Sequence, residues 1–420
     1  MLKGKFRYKI LLWLSIVMLI AYFDRVNFGM AVPSIMKDFK LTAGQIGMIM
    51  SGFYIGYTIF NYLAGYITDR LSVSITVVLL LLFWSLSTIG TGLAVGFTSL
   101  MIVRILFGAF EGPLPASMNG IVSKWMLPRE KATATAVWLG AVPVGVVIGN
   151  VISGYIITSL GWPSVFYIFG AIGIITALIS WKVLKDSPAE HPSVSKEEKD
   201  LIELSYTTNA IQTGALTYGQ LLKNPSVWWL AIVFFALATV YWANLNWLPT
   251  YFIKARGSSL IKSGFYSSAP WAAAFVGLFV MGWLSDHVGR GFRSNWIAAA
   301  FFLVAPVIVL AVNTPSLELC IAFFCVALFL NMGAMGLMYA VQSNLFDKAN
   351  VAKVAGIVVA AGSVAGILSP YLVGIILDYT GSFNIAYYIF AGTSVVAGIF
   401  GLILFKEEKE IRSIQKEKVA

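Results

Sequence analysis

Residues 282–290 read Gly-Trp-Leu-Ser-Asp-His-Val-Gly-Arg, and residues 65–70 read Gly-Tyr-Ile-Thr-Asp-Arg. Each stretch closes an apolar run of about twenty residues, and each such run is the second of its half of the chain. One short pattern recurring at the same place in two halves marks internal duplication. Glycine in such a pattern lets two helices approach closely. An aspartate at a helix end can accept from a neighbouring helix N-terminus or pair with an arginine. Gly65, Asp69 and Arg70, with Gly282, Asp286 and Arg290, are therefore candidate gate residues whose contacts hold in one conformation and break in another.

The rest of the chain has the same character. Of its 420 residues, 59% are hydrophobic and 11% charged, whereas soluble domains are roughly half apolar and a quarter charged. A water-soluble core cannot hide that much apolar surface, so the bilayer is the expected solvent. The apolar residues come in runs long enough to cross roughly 30 Å of hydrocarbon. Inside lipid each backbone amide needs a partner within its own segment, so such runs are read as helices. Membrane barrel strands would alternate with period two, and Val77–Trp84 and Leu303–Val312 do not. Spans are expected near 10–32, 46–68, 76–96, 98–122, 132–158, 163–184, 226–252, 263–285, 295–313, 318–343, 354–378 and 383–405. The fold expected is an all-α membrane protein, with residues 1–184 and 225–405 each forming a six-helix bundle. Residues 185–224 are read as a cytoplasmic linker and 406–420 as a cytoplasmic tail.

The first run follows Lys3, Lys5, Arg7 and Lys9, as in a signal peptide, but no small-residue cleavage site follows and Asp24 and Arg25 are embedded in it, so a retained helix is expected. The net charge is +10. Lys and Arg gather in the loops on one side, at Lys124 to Lys131, Lys182 to Lys199 and Lys406 onward. That bias puts both termini in the cytoplasm. Nucleic-acid binding would need the charge on a soluble module, and none is evident. Cys320 and Cys325 lie in an apolar run and are read as small hydrophobes without a disulfide. In the linker, Lys196–Glu203 is expected to form a short surface helix capped by Ser195.

Ionisable side chains at membrane depth cost several kcal/mol and are functional by default. Asp24 and Arg25 fall in the first span, Arg104 and Glu111 in the fourth. The latter two lie on one face of a helix but about 10 Å apart along it, too far to pair. Each needs a partner on another helix, and Asp24 and Arg25 are available. Two acids and two bases around a cavity can neutralise one another in turns. Protonating an acid frees its arginine, which can then hold an anion.

The duplicated pattern resembles the signature of the major facilitator superfamily, although its first copy has Ser72, Val73 and Ser74 where glycine and arginines are usual. Further strings resemble its anion:cation symporter branch: Tyr22-Phe-Asp-Arg-Val-Asn, Arg104-Ile-Leu-Phe-Gly-Ala-Phe-Glu-Gly-Pro, Gly161-Trp-Pro-Ser-Val-Phe-Tyr and Ser187-Pro-Ala-Glu-His-Pro. That branch includes bacterial proton symporters of galactonate, hexuronates and glucarate and, more distantly, vesicular glutamate transporters. The resemblance implies two pseudo-symmetric bundles, a bacterial inner-membrane location and function as a monomer. It implies proton handling by Asp24 and Glu111, with Arg104 as the arginine that pairs with the acids. It implies a substrate site at Arg25, Tyr22 and Tyr57, with Ser363 at a position of the second half that the family uses, and Asn244 is a further candidate from its place in an apolar stretch of the seventh span.

Three features depart from the usual pattern of the branch. Val142 or Pro143 stands where a polar side chain, often glutamine, is usual; Val359 and Ser363 stand where two asparagines are usual; and the seventh span carries no arginine, unlike in glutamate-transporting members. A polyhydroxylated ligand would lose partners in such a pocket. Asn244 and Asn246 are the available compensation. A less hydroxylated aliphatic or aromatic carboxylate is therefore the alternative substrate, and sodium coupling or facilitated diffusion the alternative mechanism. A channel would usually be a symmetric oligomer with a filter, and a duplicated chain argues for a carrier. No Walker loop, nucleophile elbow or metal motif is evident, so no enzyme, ATP-driven pump or cofactor is expected. A transporter-like receptor stays open until accumulation is measured.

Overall fold

The computed structural model describes residues 5–206, 216–288 and 292–417. The expected gate residue Arg290, and most of the Ser/Thr-rich stretch in the linker, lie outside the described residues, and only the backbone of Asp69 is described. The helices are α1 (Arg7–Phe39), α2 (Ala43–Tyr62), α3 (Ala64–Arg70), α4 (Val73–Gly92), α5 (Phe97–Glu111), α6 (Leu114–Trp125), α7 (Lys131–Leu160), α8 (Trp162–Val183), α9 (Lys196–Tyr206), α10 (Tyr218–Leu221), α11 (Pro225–Lys254), α12 (Leu260–His287), α13 (Arg293–Asn313), α14 (Leu317–Leu345), α15 (Lys348–Thr380) and α16 (Asn384–Glu417). Eleven stretches among the described residues are long and apolar enough to cross a membrane, one of them being α5 and α6 together. The remaining expected span is α2, whose apolar character is diluted by Gln45, Gly44, Gly47, Gly52 and Gly56.

Two spans depart from the expected continuous helices. The fourth breaks at Gly112-Pro113, so that α5 ends on Glu111 and α6 begins at Leu114. Proline has no N–H to donate and its ring obstructs the preceding turn, which ends α5 there. The second breaks between Tyr62 and Ala64, leaving α3 as a separate short helix. The stretch read as a tail begins as helix. α16 runs on past residue 406 to Glu417, and Glu408 is buried within it.

The chain divides into two units, Met1–Leu41 with Met48–Ile211, and Thr42–Gly47 with Gln212–Ala420. In the first unit α1 packs on α7, and α4 on α5 and α8. In the second α11 packs on α15, α12 on α14, and α13 on α14 and α16. The first residues of α2 belong to the second unit, where the N–H groups of Ala43 and Gly44 donate to the Asp378 carboxylate, each at 2.8 Å.

Glycine permits the closest helix contacts, though not at the positions expected. A Cβ on Gly108 would land on the Phe53 carbonyl, and one on Gly56 on the Ile105 carbonyl, so α2 and α5 touch backbone to backbone. In the second unit Gly277 stands against the Phe329 carbonyl in the same way. At Gly65 and Gly282 an added Cβ would meet nothing within 4 Å. Close approach therefore does not explain the glycines of the duplicated pattern.

Each unit contains one carboxylate that caps the helix following that pattern. Ser74, at the start of α4, donates from its N–H to Asp186 at 2.8 Å and from its hydroxyl at 2.5 Å. Ser294, at the start of α13, donates both groups to Glu408, which also accepts from Asn344 at 2.6 Å. A carboxylate there satisfies orphan N–H groups and complements the positive end of the helix dipole. Lys124 lies 3.8 Å from Asp186. Burial works against the charge of Asp186, but the Ser74 hydrogen bonds and Lys124 hold its carboxyl below the ordinary range.

The linker helix α9 is fastened to the first unit. Ser195 accepts from the Glu198 N–H at 3.3 Å, the expected cap. Glu198 in turn accepts from the N–H groups of Phe6 and Arg7 at 2.8 and 3.2 Å, and from the Arg7 guanidinium at 3.1 Å. Arg7 also bonds Glu130 at 2.9 Å, tying together the start of α1, the start of α7 and α9. Burial opposes the Glu130 charge, yet hydrogen bonds from Arg7 and Tyr8 keep its carboxyl below the usual range.

Candidate functional site

The four ionisable side chains expected in the first unit are all buried, and the fold brings them into one interior cluster. α1 supplies Asp24 and Arg25, and α5 supplies Arg104 and Glu111. The break at Gly112-Pro113 puts Glu111 on the last turn of α5, where the helix dipole disfavours a negative charge. Arg25 offsets this. Its Nε donates to Glu111 Oε1 at 2.6 Å, a charge-assisted bond between side chains that are 7% and 1% exposed. The Arg25 guanidinium lies 4.8 Å from the ring centre of Tyr22, 5.1 Å from Phe53 and 5.0 Å from Tyr57, and its Nη1 reaches the Tyr22 hydroxyl at 3.4 Å. A guanidinium walled by ring faces is stabilised by their quadrupoles without being neutralised.

Arg104, expected as the arginine that pairs with the acids, acts on Asp24 and Glu111 without touching either. Among the described residues it makes no ion pair within 4 Å, and its Nε has no hydrogen-bond partner. It lies 4.0 Å over the Phe28 ring and 5.2 Å from Phe107. The partner of Glu111 is Arg25 and not Arg104, because seven residues of α5 separate the latter from Glu111. Asp24 is turned toward α4, where Trp84 Nε1 donates to its Oδ2 at 3.2 Å. Asp24 Oδ1 and Glu111 Oε2 have no hydrogen-bond partner among the described residues. Phe28, Phe53 and Trp84 were not among the expected site residues. In sequence they are rings in apolar runs, and only their partners in space distinguish them from packing.

In the second unit Asn244 is buried and satisfied internally: its Nδ2 donates to the Val240 carbonyl at 2.8 Å and its Oδ1 accepts from Tyr387 at 3.4 Å. Ser363 is half-buried and donates to the Val359 carbonyl at 3.2 Å. Arg256, in the loop after α11, donates to Tyr251 at 2.9 Å and to the carbonyls of Thr314 and Ala311 at 2.7 and 2.9 Å. It thereby closes the end of α13 and is structural.

The expected gate residues lie mostly at the surface. Arg70 is exposed, stacked 4.3 Å over Tyr66. Asp286 pairs with Arg293 at 2.9 Å in an exposed bridge. Asp186 and Glu408, which sequence reading passed over, are the carboxylates that hold the starts of α4 and α13. Ser74, noted as a departure from the usual pattern, was the available signal, since a serine at a helix start invites a carboxylate partner.

The sequence matches the Major Facilitator Superfamily over residues 14–342 and 296–420. The chain belongs to that family, a family of membrane transporters. It is 31% identical over 404 residues to the hexuronate transporter of Bacillus subtilis, covering 94% of each chain. It is 28% identical over 424 residues to the D-galactonate transporter of Escherichia coli O6:H1, covering 97% of each. The fold agrees with that of a bacterial homologue of the human lysosomal transporter Spinster, with a TM-score of 0.76 at 20% identity over 97% of this chain and 98% of that one. The expected family and the all-α facilitator fold are thus established.

Proposed function

We propose that this protein takes up a small organic carboxylate, most specifically a sugar acid of the hexuronate, galactonate or glucarate type, together with protons. The observation that carries the reading is the buried Arg25–Glu111 pair at 2.6 Å inside a box of aromatic rings. An ionised Glu111 occupies Arg25. Protonating Glu111 ends the ion pair and leaves a desolvated guanidinium, which a substrate carboxylate can neutralise. Proton and anion then bind together, and neither is favoured alone. Asp24 is the second proton carrier, and Tyr22 and Tyr57 offer hydroxyls to the substrate. Arg104 keeps the cluster from accumulating negative charge. The names of the hexuronate and galactonate relatives support the substrate class. Residues 185–224 serve as the cytoplasmic linker between the bundles, both termini are cytoplasmic, and one chain suffices in the inner membrane.

A second reading, a less hydroxylated carboxylate, is favoured by the buried, apolar Val142 and by the internal satisfaction of Asn244. The test is acidification of liposomes carrying the purified protein, read with an internal pH dye across galactonate, glucuronate, glucarate, glutamate and 4-hydroxyphenylacetate. One acid driving acidification, abolished by Glu111→Gln, is the expected result and identifies the substrate. Entry of the acid without proton movement overturns the coupling.

A further inference from the structure

Asn27 belongs to α1 and is fully buried, yet neither its Oδ1 nor its Nδ2 has a hydrogen-bond partner among the described residues. A buried polar atom left unsatisfied costs roughly 1–3 kcal/mol, and here one side chain carries two of them. Groups of this kind are ordinarily satisfied by buried water. Asn27 also has a polar neighbour with the same lack. Asp24, three residues earlier on the same helix face, leaves Oδ1 without a partner while Oδ2 is held by Trp84. Side chains at that spacing have Cβ atoms about 5–6 Å apart, a gap that one water bridges. Thr88, on α4 beside Trp84, also lies within hydrogen-bonding reach of Asp24, and aromatic rings pack alongside. Phe23 packs on Phe169 and Phe28 on Phe166, with ring centres 5.4 and 6.5 Å apart. The charged groups that act on Asp24 are Glu111 and Arg104.

We infer that Asn27 is a positioning residue for proton transfer at Asp24, acting through a shared buried water. This rests on the reading of Asp24 as a proton carrier. A carboxamide suits the task because it offers a donor and an acceptor on one rigid plane. Beside ionised Asp24, the water donates one hydrogen to Oδ1 of the carboxylate and accepts from Asn27 Nδ2. Beside neutral Asp24, the carboxyl O–H donates to the water, which turns and donates to Asn27 Oδ1. Transfer passes one proton from the water to the carboxylate, and the water recovers one from its next donor, so that the water is unchanged. Both protonation states are then solvated within the protein interior. A leucine of the same shape solvates neither, and the proton step slows although the substrate site is untouched.

The experiment compares two activities of the full-length protein in liposomes. Net substrate-driven acidification requires Asp24 to lose and regain its proton in each cycle. Exchange of labelled for unlabelled substrate at equal pH does not. Asn27→Leu is expected to lower net acidification at least tenfold and shift its pH profile, while exchange stays within threefold. Asn27→Val, which adds less bulk, is expected to give the same split. Asn27→Ser, which restores a hydroxyl and room for water, is expected to recover most of the net rate. Equal net and exchange rates in the Leu or Val variants, whether both normal or both lost, overturn the inference. So does a Ser variant no better than Val. If the unsubstituted protein moves substrate without protons, the symport reading fails first, and the role of Asn27 fails with it.

Discussion

Arg25 shows how much a single side chain depends on what surrounds it. Its charge is matched by one carboxylate, and three rings wall its planar face. Lysine would keep the charge but lose the fork and the stacking. Arg25→Lys should therefore lower transport at least tenfold, consistent with the about 2 kcal/mol of a desolvated cation–π contact, while leaving expression and monodispersity unchanged. Uptake of labelled substrate into liposomes checks this, and a variant within twofold of the unsubstituted protein would contradict it. Arg25, Asp24, Arg104 and Glu111 were legible as a group in sequence, because charge at membrane depth demands a reason. Spacing along the helix already excluded Arg104 as the partner of Glu111. That Arg104 lies over Phe28, and that Asp24 turns to Trp84 instead of pairing, was not legible, because both depend on packing between helices.

At the scale of helices, close packing and capping give opposite expectations for similar glycines and similar acids. Gly108→Ala drives a methyl into the Phe53 carbonyl and should cost about 1–3 kcal/mol or more, read as a lower melting temperature in detergent. Gly282→Ala meets open space and should stay within about 0.5 kcal/mol. Equal shifts in the two would mean that α2 and α5 are not in backbone contact. Asp186 gives a pH expectation. Its carboxyl titrates lower folded than unfolded, so its stabilisation is complete above the ordinary aspartate pKa and is lost as pH falls through the lowered folded value. Below about pH 4 the unsubstituted protein should lose thermal stability more steeply than Asp186→Asn. At neutral pH that variant should be the less stable, by about the 1 kcal/mol of a helix cap. Parallel curves would remove Asp186 as the cap of α4.

Across the whole molecule, duplication was legible from one recurring pattern, while the interaction it accompanies was not. Both units place a carboxylate on a serine at the start of their third span, Asp186 from just after α8 in the first and Glu408 from within α16 in the second. Each follows a lysine at the end of an apolar run, Lys185 before Asp186 and Lys406 before Glu407 and Glu408, but only folding shows which carboxylate reaches the serine. The proposed topology is open to direct test in a chain whose Cys320 and Cys325 are replaced by serine. Ala255 and Ser193 are both exposed, the first in the loop after α11 and the second in the linker. In intact cells an impermeant maleimide should label Ala255→Cys and spare Ser193→Cys, and the reverse would invert the orientation drawn from the positive loops.

The sequence by itself determined the solvent, the helical class, the approximate spans, the duplication and the small set of buried charges. Each of these follows from the cost of leaving apolar surface in water, or peptide groups and charges in lipid, and that cost is summed locally along the chain. The tertiary structure alone decided the close geometry of the Arg25–Glu111 pair, the stacking of Arg104 on Phe28, the unpartnered atoms of Asp24 and Asn27, and the capping by Asp186 and Glu408. These are contacts between residues 60 or more apart in sequence, or the lack of such contacts. Their geometry is fixed by packing shape, and nothing in the order of residues along one helix encodes it.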